Sequence, residues 1–434
     1  MAEVAKSLSG SEGSESGSKG YKGSEGAKGP ESGFEGSDGG AYPFPPGELG
    51  GCPLAYHRRR TLAPVAPVAL PSGDEVLLVT RYDDIREVHA GPHFSRNLRY
   101  PGAPRMLAAA DFGEDPNSLT NMDPPEHSRL RRIVQGAFTP RAAERWRGEI
   151  RAIAEGLLDD VLAAGPPADL RTAFAFPLPV EVICRVVGVP PGDSPLFRVW
   201  SDVLLSLTAG AAADRLQAGI EFAAYVDELI ADHRCTPRGD LIDDLIAARD
   251  EDADRLSEPE LANIVRGLII AGHETTANVI SRGVLALLRH PEQPGVLRAK
   301  PELLPGAVEE VLRAQIPGHG ALLRVAKEDV VLPSGHQVKA GQGVLAPFVA
   351  ANHDPERFDD PEVFDITRAD NKHLSFGIGP HYCLGANLAR VELQVAFDVL
   401  VDRLPGMELA VPVGELTWSA GSRVCGLNEL PVTW

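Results

Sequence analysis

The sequence predicts a mainly α protein with a small β region, folded as one large domain. Three observations carry this. From about residue 80 onward, long stretches rich in Ala, Leu, Glu and Arg repeat their apolar residues at helical spacing. β-Branched runs are few and short, near Leu62–Thr80, Val325–Val338, Gly343–Phe348 and the C-terminus. No linker-like composition interrupts residues 43–434.

Taken in order, residues 1–42 are mostly Gly, Ser, Glu and Lys with scarcely an apolar side chain. Such a segment cannot bury enough surface to offset ordering entropy, which predicts a disordered tail. Pro43–Pro46 marks the start of the folded body. Within Leu62–Thr80 two β-branched runs flank Pro71-Ser-Gly-Asp, a hairpin signal. The clearest helix covers Glu258–Arg289: Ser257 and Glu260 form a capping-box pattern, Pro259 sits in the first turn, and Pro291 closes the end. At 1.5 Å rise per residue it is roughly 48 Å long. Its apolar residues lie on more than one side, so it is expected to be buried. A further apolar segment runs from Leu384 to about Leu404, directly after Cys383.

Composition narrows the function classes. The formal net charge of −19 argues against nucleic acid, whose phosphates need a basic face, and favours solubility. The tail lacks the apolar core of a secretory signal and is too acidic for a transit peptide. The longest nearly uncharged apolar stretch, Val203–Ala213, is far short of the roughly 20 residues that span a bilayer. A cytoplasmic protein with no membrane anchor is expected. Five scattered cysteines, with no Cys-x-x-Cys pair, suggest neither a disulfide framework nor a zinc site.

Four constellations carry chemistry. Phe376-Gly-Ile-Gly379-Pro-His381-Tyr-Cys383-Leu-Gly385 reads as a backbone cradle for one thiolate: two glycines turn the loop before the sulfur and a helix begins after it. Free amide donors at a helix start favour a charged thiolate and lower its pKa, which suits a metal ligand. A lone cysteine is more often simply buried. Inside the long helix, Ala271-Gly272-His273-Glu274-Thr275-Thr276 puts poor helix formers in mid-helix. Either the helix bends there, with a threonine hydroxyl bonding back to the preceding turn, or small residues leave room beside a metal while an acid and an alcohol relay protons. Glu310 and Arg313, an i, i+3 pair, would alone be an ordinary surface ion pair. His127 and Arg131, at i, i+4 within Asp123–Arg132, would alone be a solvated basic face.

Together these motifs, in this order over about residues 40–434, resemble the cytochrome P450 superfamily and its soluble bacterial branch. Ala271–Asn278 and Glu429–Trp434 are most similar to actinobacterial members. The resemblance implies the P450 fold over residues 43–434 and a haem b whose iron takes the Cys383 thiolate as axial ligand, in a loop shaped by Phe376, Gly379 and Gly385. It implies Ala271 and Thr275 beside the oxygen site, with Thr275 the hydroxyl that stabilises reduced oxygen there and Glu274 the acid connecting it to solvent; His273 falls on a variable position. His127, Arg131, Arg324 and His381 would contact the haem propionates. Glu310, Arg313 and Arg368 would form a structural triad holding the segment before the cysteine loop.

The implied activity is a monooxygenase that activates dioxygen and hydroxylates or epoxidises a small organic substrate, in secondary metabolism such as antibiotic biosynthesis or in xenobiotic oxidation. With no flavin or iron–sulfur motif in the chain, electrons are expected from NAD(P)H through a ferredoxin reductase and a ferredoxin. Arg129, Arg132, Lys372 and Arg390 flank the haem-binding segments and are candidates for its docking face. The alternatives are oxidative coupling or peroxygenation on the same fold, and a non-catalytic haem sensor. By the same resemblance the substrate meets Asn97–Thr120, Leu196–Phe222, Gly267–Gly272, Ile316–Leu323 and Ser422–Gly426. Pro317-Gly-His-Gly320 either opens space there or is simply a turn.

Overall fold

A computed structural model describes residues 42–434, except 100–101, 109–114, 208–211, 253, 319–321 and 420. The Gly/Ser/Glu-rich tail lies outside the described residues apart from Tyr42, which belongs to the folded body. Its ring is buried edge-on against Phe44 at 6.2 Å, and its N–H donates to Ala69 O at 3.0 Å.

The helix Glu258–Arg289 has the boundaries its caps predict. Glu260 N–H donates to Ser257 Oγ at 3.4 Å, and Ser257 N–H to Glu260 Oε2 at 2.9 Å, which closes the capping box. Around it pack Pro177–Val187, Ser194–Leu204, Ala212–Cys235, Leu241–Glu251, Leu304–Ala314 and Ala386–Arg403, and Arg147–Ala164 packs in turn on the last of these and on Pro177–Val187. They share one apolar core in which Leu158, Val187, Ile280, Val308 and Phe397 are buried, each contributing on the order of 1.5–3 kcal/mol. At Gly283 the helices cross closely: a Cβ there would lie 2.5 Å from Phe397 Cζ and 2.8 Å from Val311 Cγ1.

Among the described residues the β region is one five-stranded sheet and two smaller ones. The expected hairpin is present as β1 (Val65–Ala69) and β2 (Glu75–Val79), paired from Val65 opposite Val79 to Ala69 opposite Glu75. Its turn needs Gly73, at φ +92°. The sheet continues with β3 (Phe94–Ser95), β4 (Arg324–Ala326) and β5 (Gly343–Leu345) in the spatial order β1-β2-β5-β4-β3. The run Val325–Val338 is divided between β4 and a separate two-stranded ladder, Val330–Val331 with Gln337–Val338. The run Gly343–Phe348 stops as a strand at Leu345, and a helix, Phe348–Asn352, starts directly after Pro347. A second apolar core, including Tyr56, Leu78, Ile85, Val344 and Phe358, lies under this sheet. No described helix is long and apolar enough to cross a membrane.

Candidate active site

The cysteine loop has the geometry its glycines require. Gly377 and Gly379 adopt φ +71° and +75°, and a Cβ on Gly379 would lie 2.9 Å from Ala90 Cα, so the loop can seat on the helix Tyr82–Ala90. Cys383 N–H donates to Phe376 O at 2.7 Å, closing the turn around the sulfur. Cys383 is deep in the protein yet accessible, because it lines a cavity. Burial pushes its thiol up, against the N–H groups of Gly385 and Ala386 and the charges of Arg131 and Arg390. This reverses the expected sign: the helix start pulls in the anticipated direction, but removal from water outweighs it.

The opposite wall is the long helix. It is buried through most of its length, yet Gly267, Ala271 and Thr275 are exposed. These three stand four residues apart, on one face, and all line the cavity. Thr275 Oγ1 donates to Ala271 O at 2.9 Å, the back-bond anticipated for it. Gly272 serves packing as well as space: a Cβ there would lie 2.6 Å from Ile183 Cγ1 on the neighbouring helix. His273, unassigned from sequence, is buried between Ser201 Oγ at 2.8 Å and Ile269 O at 2.6 Å.

Glu274 departs from expectation. It does not line the cavity and is 6% exposed, turned toward a π-helical segment, Arg171–Ala175, where Arg171 Nη2 donates to its Oε1 at 3.1 Å. Asn278 Nδ2 donates to the same oxygen at 2.7 Å, while Oε2 is buried without a hydrogen-bond partner. One helix position is a rotation of about 100°, enough to put Glu274 behind the wall that Thr275 faces.

The rim is cationic. His127 and Arg131 share a face of the helix Glu126–Val134 and line the cavity, and the His127 ring lies 4.3 Å from that of His381. Burial and the neighbouring Arg131 push His127 down to about 4; burial, Arg324 and His127 push His381 down to about 2. Arg324 is buried behind this rim and pushed down to about 9 by burial and by Arg96. His381 Nε2 is buried with no partner. The cavity holds about 390 Å³, and a side chain on Gly385 would project into open space. A thiol, bare small residues, an unpartnered ring nitrogen and concentrated positive charge at the rim fit a flat, doubly anionic macrocycle such as haem.

Beneath the loop, the triad is fully formed. Arg313 and Glu310, both 0% exposed, pair through two hydrogen bonds of 2.7 and 2.8 Å. Arg368 Nε donates to Glu310 Oε2 at 3.2 Å, and Arg313 also donates to the carbonyls of Asn352, Pro361 and Val363. Sequence reading missed a second brace. Glu309 takes Arg390 through two bonds of 2.8 and 2.9 Å and His373 at 3.1 Å, while Arg390 stacks over Phe376 at 4.5 Å. Burial works against the Glu309 carboxylate, but these donors hold it at about 2.

Two other expectations change. Arg390 is thus committed to Glu309 and Arg129 to Glu260 at 2.5 Å, leaving Arg132 and Lys372 as the exposed members of the proposed docking face. Of the expected substrate segments, Ser118–Thr120, the long-helix face, Ile316, Pro317 and Leu322 line the cavity; the described residues of Leu196–Phe222 and Ser422–Gly426 do not. Gly318, at φ +70° with Arg423 O 2.3 Å from where its Cβ would sit, is a packed turn, while His319 and Gly320 lie outside the described residues.

The chain is similar to known proteins over most of its length. The family model described as Cytochrome P450 matches residues 197–404. The chain is 45% identical over 398 residues to a mycinamicin IV hydroxylase/epoxidase of Micromonospora griseorubida, covering 91% of this chain and 98% of that one. It is 42% identical over 380 residues to the cytochrome P450 monooxygenase PikC of Streptomyces venezuelae, covering 87% and 90%. Among solved structures, that of the putative thioether synthase SgvP, involved in tailoring of griseoviridin, superposes with a TM-score of 0.87 at 42% identity, covering 91% of this chain and 99% of that one.

Proposed function

The chain belongs to the cytochrome P450 family, a haem-thiolate monooxygenase by that membership, and on this premise we propose that Cys383 carries the iron and that Thr275 and Glu274 serve oxygen activation. The observation that carries the assignment is that Cys383 and the Gly267, Ala271 and Thr275 stripe line the same cavity. Haem supplies the redox chemistry, in which one atom of dioxygen enters a C–H or C=C bond and the other leaves as water.

The protein's own groups do the rest. The Phe376–Gly385 loop fixes the sulfur, and His127, Arg131, Arg324 and His381 offer donors and charge to two propionates. Thr275 Oγ1, released from Ala271 O, can donate its proton into the cavity. Glu274 is the relay behind the wall: its carboxylate must leave Arg171 and take up a proton from solvent before it can pass one toward Thr275. Leu119, Ile264, Leu268, Ile316 and Leu322 exclude water, while Ser118, Thr120 and Asn263 orient polar groups of the substrate. The substrate is accordingly a small organic molecule, mostly apolar, and the relatives argue for secondary metabolism.

The test supplies a surrogate ferredoxin, its reductase and NADH. Wild type is expected to consume NADH with matching product; Thr275→Ala is expected to keep its haem and divert reducing equivalents to hydrogen peroxide. Tight coupling in that variant would remove Thr275 from the proton path. Electrons are proposed to come from NAD(P)H by the same kind of reductase and ferredoxin pair, which places the enzyme in the cytoplasm with its reductant. Charge reversal at Arg132 and Lys372 should slow reduction at low salt and little at high salt. Equal rates at low salt would dismiss that face.

A further inference from the structure

Asn263 lines the cavity from the second turn of the long helix and is 9% exposed. Its Nδ2 donates to Asp115 Oδ2 at 2.7 Å. A carboxylate can only accept, so Asn263 must turn its nitrogen to Asp115, and the amide cannot be reversed without setting oxygen against oxygen. Asp115 is itself held in place. Its Oδ1 takes the Asn117 N–H at 2.8 Å and Asn117 Nδ2 at 3.2 Å, its backbone O takes the Ser118 N–H at 3.0 Å, and Arg266 Nη2 stands 3.8 Å from Oδ2.

The consequence is a fixed acceptor. Among the described residues no donor reaches Asn263 Oδ1, and that oxygen is not sealed off, so it answers only to what enters the cavity. The Ser118 and Thr120 hydroxyls, which line the same cavity, are bonded to each other at 2.9 Å. An acceptor covered by an apolar surface loses its water and gains nothing, whereas a donor placed against it replaces that water with a hydrogen bond. The charges behind Asn263 are opposite and adjacent, Asp115 against Arg266, which favours a neutral donor over an ammonium. At 1.5 Å rise per residue, Asn263 lies about 18 Å along the helix axis from Thr275. Between them the helix offers the cavity Ile264, Gly267, Leu268, Ala271 and Gly272, whose side chains form no hydrogen bonds.

We propose that Asn263 is a specificity-determining residue: its carbonyl oxygen, held toward the cavity by Asp115, selects substrates that carry a neutral hydrogen-bond donor, such as a hydroxyl, at the end remote from the carbon that reacts. This rests on the monooxygenase reading given above and names the substrate class within it. The substrate is accordingly elongated and apolar between that carbon and the donor. Asp115 is the positioning residue that fixes which way the amide faces.

In the experiment the haem-loaded full chain is titrated with 1-alkylimidazoles of graded chain length that end in a hydroxyl, a methyl ether or a methyl group. The imidazole ligates the iron and shifts the haem absorbance whatever the tail, so all tails share one readout. At the chain length that binds best, wild type is expected to hold the hydroxyl-ended probe at least about tenfold more tightly than its ether, which offers an acceptor but no donor. Asn263→Leu, similar in size and without the acceptor, should bring the two within about twofold. Asp115→Asn, whose amide can donate as well as accept, releases Asn263 to turn over and should cut the preference to about threefold or less. A merely structural role for Asp115 would weaken all the probes alike and leave that ratio unmoved. Equal binding of the hydroxyl and ether probes by wild type at every length overturns the proposal, as does a preference that survives Asn263→Leu. Should Asn263→Leu not accumulate folded, Asp115→Asn decides alone, with a lost preference supporting the proposal and a kept one overturning it. A chain whose absorbance does not respond even to 1-methylimidazole would defeat the haem reading instead.

Discussion

Cys383→Ser is expected to abolish the thiolate-type absorption of the reduced carbonyl complex and to reduce NADH-driven oxygen insertion to background. The substitution is nearly isosteric, and the elements that shape the loop do not involve the sulfur: the Cys383 N–H bond to Phe376 O, the positive φ of Gly377 and Gly379, and the seating of Gly379 on the helix Tyr82–Ala90. The fold should therefore survive while the donor is lost, since a serine hydroxyl is far harder to ionise than a thiol and is a poor source of electron density for O–O cleavage. The measurement is the carbonyl difference spectrum alongside the far-ultraviolet circular dichroism. A Cys383→Ser protein that keeps the thiolate band would eliminate Cys383 as the ligand.

Arg313→Ala should have the largest effect on stability. Its guanidinium pairs with Glu310 twice and donates to three backbone carbonyls, all out of water. Removing it leaves Glu310 buried with Arg368, Asn371 and the Asp365 N–H as remaining partners. Breaking a buried pair in this way costs about 3–5 kcal/mol, against a total stability of about 5–15 kcal/mol. The variant is expected to accumulate poorly, to melt at a clearly lower temperature and to hold little haem, because the anchored segment leads through Leu374 and Ser375 into the cysteine loop. Unchanged melting and full haem content would contradict the structural role given to the triad. Glu310→Gln, which keeps acceptor and shape but removes the charge, should fall between wild type and Arg313→Ala.

What could be read in the sequence was local. The capping box, the hairpin turn, the positive-φ glycines before Cys383 and the i, i+4 pairing of His127 with Arg131 each depend on residues within one turn or loop, and each is found where its spacing places it. What escaped depends on which distant segments meet. Nothing near Glu274 in sequence announces Arg171, more than one hundred positions earlier. Glu309 looked like a neighbour of the motif residue Glu310, but a helix turns by about 100° per residue. Glu309 therefore faces Arg390 and His373 while Glu310 faces Arg313. The sign of the Cys383 shift was missed for a related reason: amide donors at a helix start are visible in a motif, and depth of burial is not.

The stripe of Gly267, Ala271 and Thr275 has one more meaning. Positions four apart on a helix advance about 6 Å along its axis, so these three bare rungs form a graduated scale running away from Thr275. Bulk added at Ala271 would shorten the reach available close to that end, and bulk added at Gly267 would trim only the far end. Which carbon of a substrate is presented can thus be shifted by one rung at a time, with Cys383 and its loop left untouched.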